Sequence, residues 1–291
     1  MDSGSDKEKV RKYYDQEAGD YHKIYQEECD EYPANQIRLN FVVERLKQNQ
    51  VKTVLDAGCG TCTPMLRLLK EGFKVEGFDF SEEMVKAGKK ELEKAGVAPN
   101  LIGQGDLEDD STLPDEKFDA ILALGVFPHL SDEAKALSNM RQRLNKGGLV
   151  FIQFRNDLFA AYTLNKYSLD FFLNRVINLS SLPDDVAEEV ISFYSERLKA
   201  NKPDKRTRGK ISFLDIRAIF RNPLTIEDEI FKPNGFSVNK IHFYHYHALP
   251  PIFENKYPGL FQELSLRLEK PNDWKGYLMA SAYVVEAIKN D

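Results

Sequence analysis

Three acidic residues and two glycines, set at the ends of successive apolar runs, have the types and spacing to hold a nucleoside. In VLDAGCGTC an apolar run reaching Asp56 and Ala57 turns sharply at Gly58 and Gly60. Glycine has no Cβ, so such a turn brings backbone N–H groups and the next helix N-terminus close to a ligand. About twenty residues further on, Asp79 closes the next apolar run in VEGFDFS, where a carboxylate accepts hydrogen bonds from both ribose hydroxyls in doubly wound nucleotide sites. Asp106 in GQGDLED can accept from an exocyclic amine of adenine while Leu107 packs on the ring; Leu124, Gly125 and Phe127 in LALGVFPHL close the crevice. A GxG turn alone is a weak signal. Its weight comes from strand-end carboxylates on the same edge, the edge at which open α/β sheets bind ligands.

The same turn admits other chemistries. Cys59 and Cys62 form CxxC between a strand and a helix, the arrangement of a thioredoxin-like thiol pair. That reading leaves Asp79, Asp106 and the Lys146–Gly148 KGG without a purpose, so packing of a cofactor turn is preferred. A zinc site would need two of His242, His245 and His247 to join the cysteines, but alternation along a strand puts His242 on the opposite face from the other two. No metal is expected. A dinucleotide fingerprint GxGxxG would want glycine at Thr63, which argues against NAD. His129, in VFPHLSD beyond the fourth apolar run, is the candidate general base, since a neutral imidazole takes a proton near pH 7; a wall or capping role is its alternative. Arg155 and Asn156 follow the fifth run and are expected on the acceptor side, Arg155 gripping a carboxylate or phosphate bidentately or serving a structural ion pair. His245, in HFYHYH, is a further acceptor-side candidate.

Periodicity shows which elements must position these residues. Short apolar runs alternate with amphipathic ones from Lys52 onward, predicting a mostly parallel sheet with helices on both faces. Strands are expected at 53–57, 74–79, 101–104, 118–124 and 149–154. Ser81 and Ser131, each before acidic residues, mark helix N-termini, and Asn145–Gly148 marks a helix end. Upstream, residues 7–48 predict two helices, one carrying Tyr13, Tyr14, Tyr21 and Tyr25, the other Ile37, Phe41, Val42 and Leu46 on one stripe. The chain divides into an N-terminal helical segment over residues 1–50, a core over 51–156, an inserted and mainly helical cap over 157–233, and two last strands over 234–291. A cap of this kind would enclose a discrete small acceptor.

With 291 residues the chain can bury a full core without staples. Its 40 basic and 46 acidic residues give a net charge of -6, which disfavours a polynucleotide partner. The basic run KPDKRTRGK at 202–210 is read as a solvated loop, with phosphate or nucleic-acid contact as the alternative. The charged N-terminus has no signal-peptide core and no apolar run approaches a membrane span, so no membrane partner is expected. Three cysteines at irregular spacing suit a reducing cytoplasm.

VLDAGCGTC, GFDFSEEM, GDLED, FDAILALGVFPHLSD and LNKGGLVFIQF together resemble the motifs of the seven-stranded class I S-adenosylmethionine-dependent methyltransferases, closely over residues 50–156 and loosely over the last two strands. The resemblance implies a Rossmann-like sheet, S-adenosylmethionine as methyl donor and S-adenosylhomocysteine as product. It places Asp56, Gly58 and Gly60 around the methionine moiety, Asp79 on the ribose with Phe80 and Met84 from the same motif nearby, and Asp106, Leu107 and Leu124 around the adenosine. Tyr14 and Tyr21 are similar to residues of the segment that covers donor and acceptor, Tyr21 on the donor and Tyr14 on the acceptor. The family often has a third glycine two residues after Gly60, and here that place is Cys62. The activity implied is methylation of an oxygen or nitrogen on a metabolite, sugar or natural-product intermediate. The competing readings are a non-catalytic S-adenosylmethionine- or nucleotide-binding module and an NAD-dependent oxidoreductase.

Overall fold

The computed structural model describes residues 3–19, 21, 32–198, 211 and 215–291. Eight strands form one sheet: β1 (Thr53–Ala57), β2 (Lys74–Asp79), β3 (Ile102–Gln104), β4 (Phe118–Ala123), β5 (Leu144–Asn156), β6 (Phe220–Arg221), β7 (Phe236–Tyr246) and β8 (Ala280–Lys289). Seven follow the order β3-β2-β1-β4-β5-β8-β7, and the two-residue β6 pairs with β5 off that path. β1 to β5 are mutually parallel, and β8 runs antiparallel to both β5 and β7. The expected seven-stranded sheet is therefore present, with a short eighth strand that periodicity over two residues cannot reveal.

Strand residues alternate between two cores, one on each face. Leu55, Ile121, Val150 and Ile152 pack with Leu137 and Met140 of one helix (Glu133–Gln142). Val54, Val75, Leu122 and Phe151 pack with Val42 and Leu46 of a second (Ala34–Gln48), Met65 and Leu68 of a third (Thr63–Lys70) and Leu92 of a fourth (Glu82–Lys94). In chain order, with the first helix at Ser3–Glu17 as α1, these are α2 (Ala34–Gln48), α3 (Thr63–Lys70), α4 (Glu82–Lys94) and α5 (Glu133–Gln142). Complete burial of Val42 and Leu46 contributes roughly 1.5–3 kcal/mol each, so α2 is anchored firmly to the sheet.

Ser81 caps α4 as expected, its hydroxyl accepting from the Met84 N–H at 3.0 Å. Two local expectations are corrected. The N-cap of α5 is Asp132, not Ser131, because the Asp132 carboxylate accepts from the Lys135 N–H at 2.9 Å. Asn145–Gly148 does not end a helix: α5 stops at Gln142, and these residues lie inside β5, where pairing with β4 slips from Phe118↔Leu144 to Ala120↔Leu149. Gly147, at φ 67°, permits that bulge.

Beyond β5 the chain forms α6 (Phe159–Thr163), α7 (Lys166–Phe171) and α8 (Asp184–Arg197), then returns to the sheet as β6. Asn165 closes a capping box at the start of α7. α9 (Pro258–Leu268) and α10 (Gly276–Met279) lie between β7 and β8. Tyr25 and the basic run 202–210 lie outside the described residues. Among the described residues no helix is long and apolar enough to cross a membrane.

Candidate active site

A cavity of about 690 Å³ opens beyond the C-terminal ends of β1, β2, β4 and β5, with α1, α2, α6 and α7 contributing to its walls. Of the residues singled out in the sequence, Tyr14, Tyr21, Asp56, Gly58, Gly60, Asp79, Phe80, Met84, Asp106, Leu107, Leu124, His129, Arg155 and His245 all line it; Asn156 does not.

The turn after β1 is tied to β2, since the N–H groups of Gly58 and Cys59 both donate to the Phe78 carbonyl, at 2.8 and 3.0 Å. Gly58 (φ 81°) also touches the β4 end: a Cβ there would sit 2.3 Å from a Val126 methyl. At Gly60 (φ 51°) a Cβ would meet the Tyr21 ring at 3.5 Å, so bare backbone lies beneath that tyrosine. Cys62, in the place of a third glycine, adopts φ 66°, the left-handed region that glycine takes without cost. Its thiol fits because Gly88 of α4 faces it; a Cβ on Gly88 would lie 2.7 Å from the sulfur. Cys59 is pushed well above the ordinary thiol value, first by its hydrogen bond with Cys62 and then by burial, the reverse of what a reactive thiol requires.

Asp79 accepts from the Gly60 N–H at 2.8 Å and from the Ser81 N–H at 2.9 Å. The Phe80 N–H also holds this carboxylate, and the acceptor capacity that remains suits a ribose hydroxyl. Burial raises Asp79 to about 6 despite those N–H groups. Asp56 is raised further, to about 7, by burial and by the charge of Asp79, with Arg38 acting in the opposite sense. Its Oδ2 is buried with no hydrogen-bond partner among the described residues.

Arg38, Gln153, Lys7 and Glu108 also line the cavity and were not anticipated from the sequence. Arg38 of α2 is 6% exposed, reaches Gln153 of β5 at 3.0 Å and lies over the Tyr244 ring. Lys7 of α1 ion-pairs with Asp106 at 2.5 Å and with Glu108 at 3.0 Å, tying the first helix to the third strand end. Glu108 is held from behind by the N–H groups of Ser131 and Asp132. A buried arginine inside the apolar stripe of α2 is the only sequence signal among these.

At the far end of the cavity the Tyr14 hydroxyl and His129 Nε2 are 3.1 Å apart, and His129 Nδ1 lies 2.6 Å from the Arg217 carbonyl. A carbonyl only accepts, so Nδ1 carries the proton, Nε2 presents its lone pair and Tyr14 donates to it. Burial lowers His129 to about 4, with the charge of Arg155 adding to the effect. His245 sits at φ 59° where β7 breaks its alternation, stacks on Tyr32 at 5.0 Å and is lowered to about 4 by burial. His242 instead stacks on Phe41 of α2 and faces Glu286. Among the described residues no group of three or more His, Cys, Asp or Glu could hold a metal ion.

Asn156 is corrected. It is fully buried, its amide donating to the carbonyls of Gly276, Tyr277 and Ala280 at 2.8–3.1 Å while its oxygen accepts from Leu158. Successive strand residues point to opposite faces, so with Arg155 on the cavity Asn156 faces away and anchors α10.

A family model described as a methyltransferase domain matches residues 55–152. The ubiquinone biosynthesis O-methyltransferase of Pasteurella multocida (strain Pm70) is 26% identical over 165 residues, 54% of this chain and 65% of that protein. The Coxiella burnetii (strain RSA 493 / Nine Mile phase I) enzyme of the same name is 26% identical over 200 residues, 67% of this chain and 78% of that protein. The glycine N-methyltransferase of Mus musculus is 33% identical over 125 residues, 38% and 43% of the two chains. The chain spans between 54% and 65% of the length of the first three curated relatives. Among solved structures, magnesium protoporphyrin IX methyltransferase (ChlM) from Synechocystis PCC 6803 with bound SAH aligns with TM-score 0.57 at 18% identity, over 98% of this chain and 100% of that one. An S-adenosylmethionine-dependent methyltransferase from Clostridium acetobutylicum ATCC 824 aligns with TM-score 0.56 at 13% identity, over 94% and 99%. At these identities the structural likeness establishes the fold. With the strand-end motifs, the domain match marks residues 55–152 as a methyltransferase domain, and the chain has the fold of the S-adenosylmethionine-dependent methyltransferases.

Proposed function

We propose that this protein transfers the methyl group of S-adenosylmethionine to a hydroxyl of a small acceptor, with His129 and Tyr14 as the proton-accepting pair. The cavity's residues fit the donor: the buried Asp56 oxygen that lacks a partner suits an α-ammonium, Arg38 suits the α-carboxylate, and Gly58 and Gly60 give close backbone approach. Asp79 would take the ribose hydroxyls, and Asp106 with Leu107 the adenine. When bound, the donor supplies a methyl carbon activated by a sulfonium. Lys7, Tyr13, Tyr14 and Tyr21 on one side and Phe159, Thr163 and Tyr167 on the other line the enclosure, so the N-terminal segment and the segment after β5 would exclude water from the reacting atoms.

The observation that carries the choice of an oxygen acceptor is the Tyr14–His129–Arg217 carbonyl chain. As the acceptor oxygen forms its bond to the methyl carbon, Tyr14 Oη takes the acceptor proton and gives its own to His129 Nε2. The donor would leave as S-adenosylhomocysteine, with the acceptor proton held on His129 Nε2. The Arg217 carbonyl holds the imidazole in the tautomer this needs. A nitrogen acceptor has only to arrive deprotonated and gives such a chain no task.

The test is a release assay for S-adenosylhomocysteine across hydroxylated metabolites, run beside calorimetric binding of S-adenosylmethionine. Binding with turnover, and turnover lost in His129→Ala, is the expected result. Undiminished turnover in His129→Ala rejects the base assignment, and binding without product from any acceptor favours a non-catalytic binding module.

A further inference from the structure

Two unfavourable features sit side by side where β7 ends. His245 takes φ 59°, the left-handed region that residues other than glycine adopt at a cost. Two residues on, the His247 ring is 5% exposed, and neither of its nitrogens has a hydrogen-bond partner among the described residues. Such costs persist where the surrounding structure enforces them, and they gather at binding sites. In a regular strand consecutive side chains point to opposite faces, yet Tyr244 and His245 both line the cavity. The left-handed backbone at His245 allows this.

The His245 imidazole is held by ring contacts, with Tyr32 at 5.0 Å and His247 at 4.8 Å, inclined by 27° and 35°. Those neighbours are themselves fixed: the Tyr32 hydroxyl donates to Glu269, and His247 packs on Phe159 of α6 and edge-on to Phe261 of α9. Among the described residues no hydrogen bond reaches either nitrogen of His245; the one it accepts from Ser281 Oγ, at 3.3 Å, ends on its carbonyl. Burial lowers His245 to about 4 and His247 to about 3. Both rings are therefore neutral near pH 7, and His245 offers the cavity one N–H and one lone pair.

We propose that His245 binds a second, uncharged oxygen function of the methyl acceptor, a hydroxyl or carbonyl set apart from the oxygen that is methylated. This rests on the methyl-transfer reading and adds the substrate class to it, a small molecule carrying two such functions. A carbonyl takes the imidazole N–H, and a hydroxyl takes the N–H or donates to the lone pair. Ser281, which also lines the cavity, adds a hydroxyl oxygen beside them. An anionic group would favour a protonated imidazole, which burial opposes. A site that offers hydrogen bonds discriminates against a ligand of the same shape that cannot use them, because its polar atoms then stay buried and unpaired.

The full chain loaded with S-adenosylhomocysteine is titrated calorimetrically with phenols matched in shape, one of each pair carrying a polar arm: 3-hydroxybenzyl alcohol and 3-ethylphenol, 4-hydroxybenzyl alcohol and 4-ethylphenol, 4-hydroxyacetophenone and 4-isopropylphenol. At least one polar member should bind about tenfold or more tightly than its apolar match. His245→Phe, which keeps a ring beside Tyr32 and His247 but has no nitrogens, should abolish that preference. His245→Asn, which tolerates a left-handed backbone and keeps a donor and an acceptor, should retain part of it. Both variants should bind S-adenosylhomocysteine as the parent does, which also shows that they fold. No pair in which the polar member binds more tightly, or an undiminished preference in His245→Phe, overturns the proposal. Failure of the parent protein to bind S-adenosylhomocysteine rejects the methyl-transfer reading instead.

Discussion

Asp56→Asn should make the ligand-free protein more stable at pH 8 while weakening its hold on S-adenosylmethionine. Burial and the charge of Asp79 raise Asp56 to about 7, so the folded protein retains a proton that the unfolded chain releases near the ordinary carboxylate value. Native binds more protons than unfolded between about 4 and 7, and stability therefore falls as pH rises through that window. Carrying the group across it corresponds to roughly 4 kcal/mol. Asparagine removes the charge but leaves a buried amide with nothing to donate to, costing about 2 kcal/mol. The net gain at pH 8 is about 2 kcal/mol, or roughly 4–8 °C in Tm for a chain of this size. At pH 5 the charge costs only about 1.5 kcal/mol, so the gain should vanish. Thermal denaturation of both proteins at pH 5 and pH 8 reads the stability, and titration with S-adenosylmethionine at pH 8 reads the affinity, expected to drop about tenfold or more from loss of one charge-assisted hydrogen bond. A Tm for Asp56→Asn at or below the parent's at pH 8, or the same change at both pH values, would refute the reasoning.

Other substitutions probe the remaining parts. Tyr14→Phe and His129→Ala should each lower kcat by about 10²–10⁴-fold while leaving the calorimetric affinity for S-adenosylhomocysteine within a few-fold of the parent's; a proportionate loss of cofactor affinity would point to a packing role instead. Gly58→Ala places a Cβ against Val126 at positive φ, and chemical denaturation should show a loss of more than about 1 kcal/mol. Asn156→Ala strips a buried donor from three carbonyls, so thermal denaturation should show a cost of roughly 2–5 kcal/mol of stability.

What was legible in the sequence divides along a physical line. The proposed nucleotide end is built by local chain: a strand, a turn and a helix N-terminus lie within a dozen residues of one another, so Asp56, Gly58 and Gly60 could be placed by spacing, and Asp79 as the end of the next strand. The acceptor end is built by distant segments. His129 acquires its tautomer from the Arg217 carbonyl, 88 residues away, and its partner Tyr14 from α1, 115 residues away. Arg155 lies over the Phe220 ring of β6 and lines one cavity with residues of α1, α7 and β7. Residue type alone could nominate His129 and Arg155 but not say what surrounds them.

The same line accounts for the misplaced residue and the missed ones. Asn156 was grouped with Arg155 by adjacency, whereas the alternation of a strand, applied to β5, separates them. Arg38 interrupts the stripe of α2 yet is as buried as its apolar neighbours, and a cation so placed costs several kcal/mol unless polar groups receive it. Gln153 of β5 and the field of Asp56 are among those groups, both reached only through the fold. Arg38 lowers the acidity penalty on Asp56, Asp56 lacks a partner on one oxygen, and the two face one cavity. In the proposed function a zwitterion bridges the two, ammonium to Asp56 and carboxylate to Arg38. Cofactor affinity should in consequence depend on the amino-acid half of the donor and not only on its adenosine.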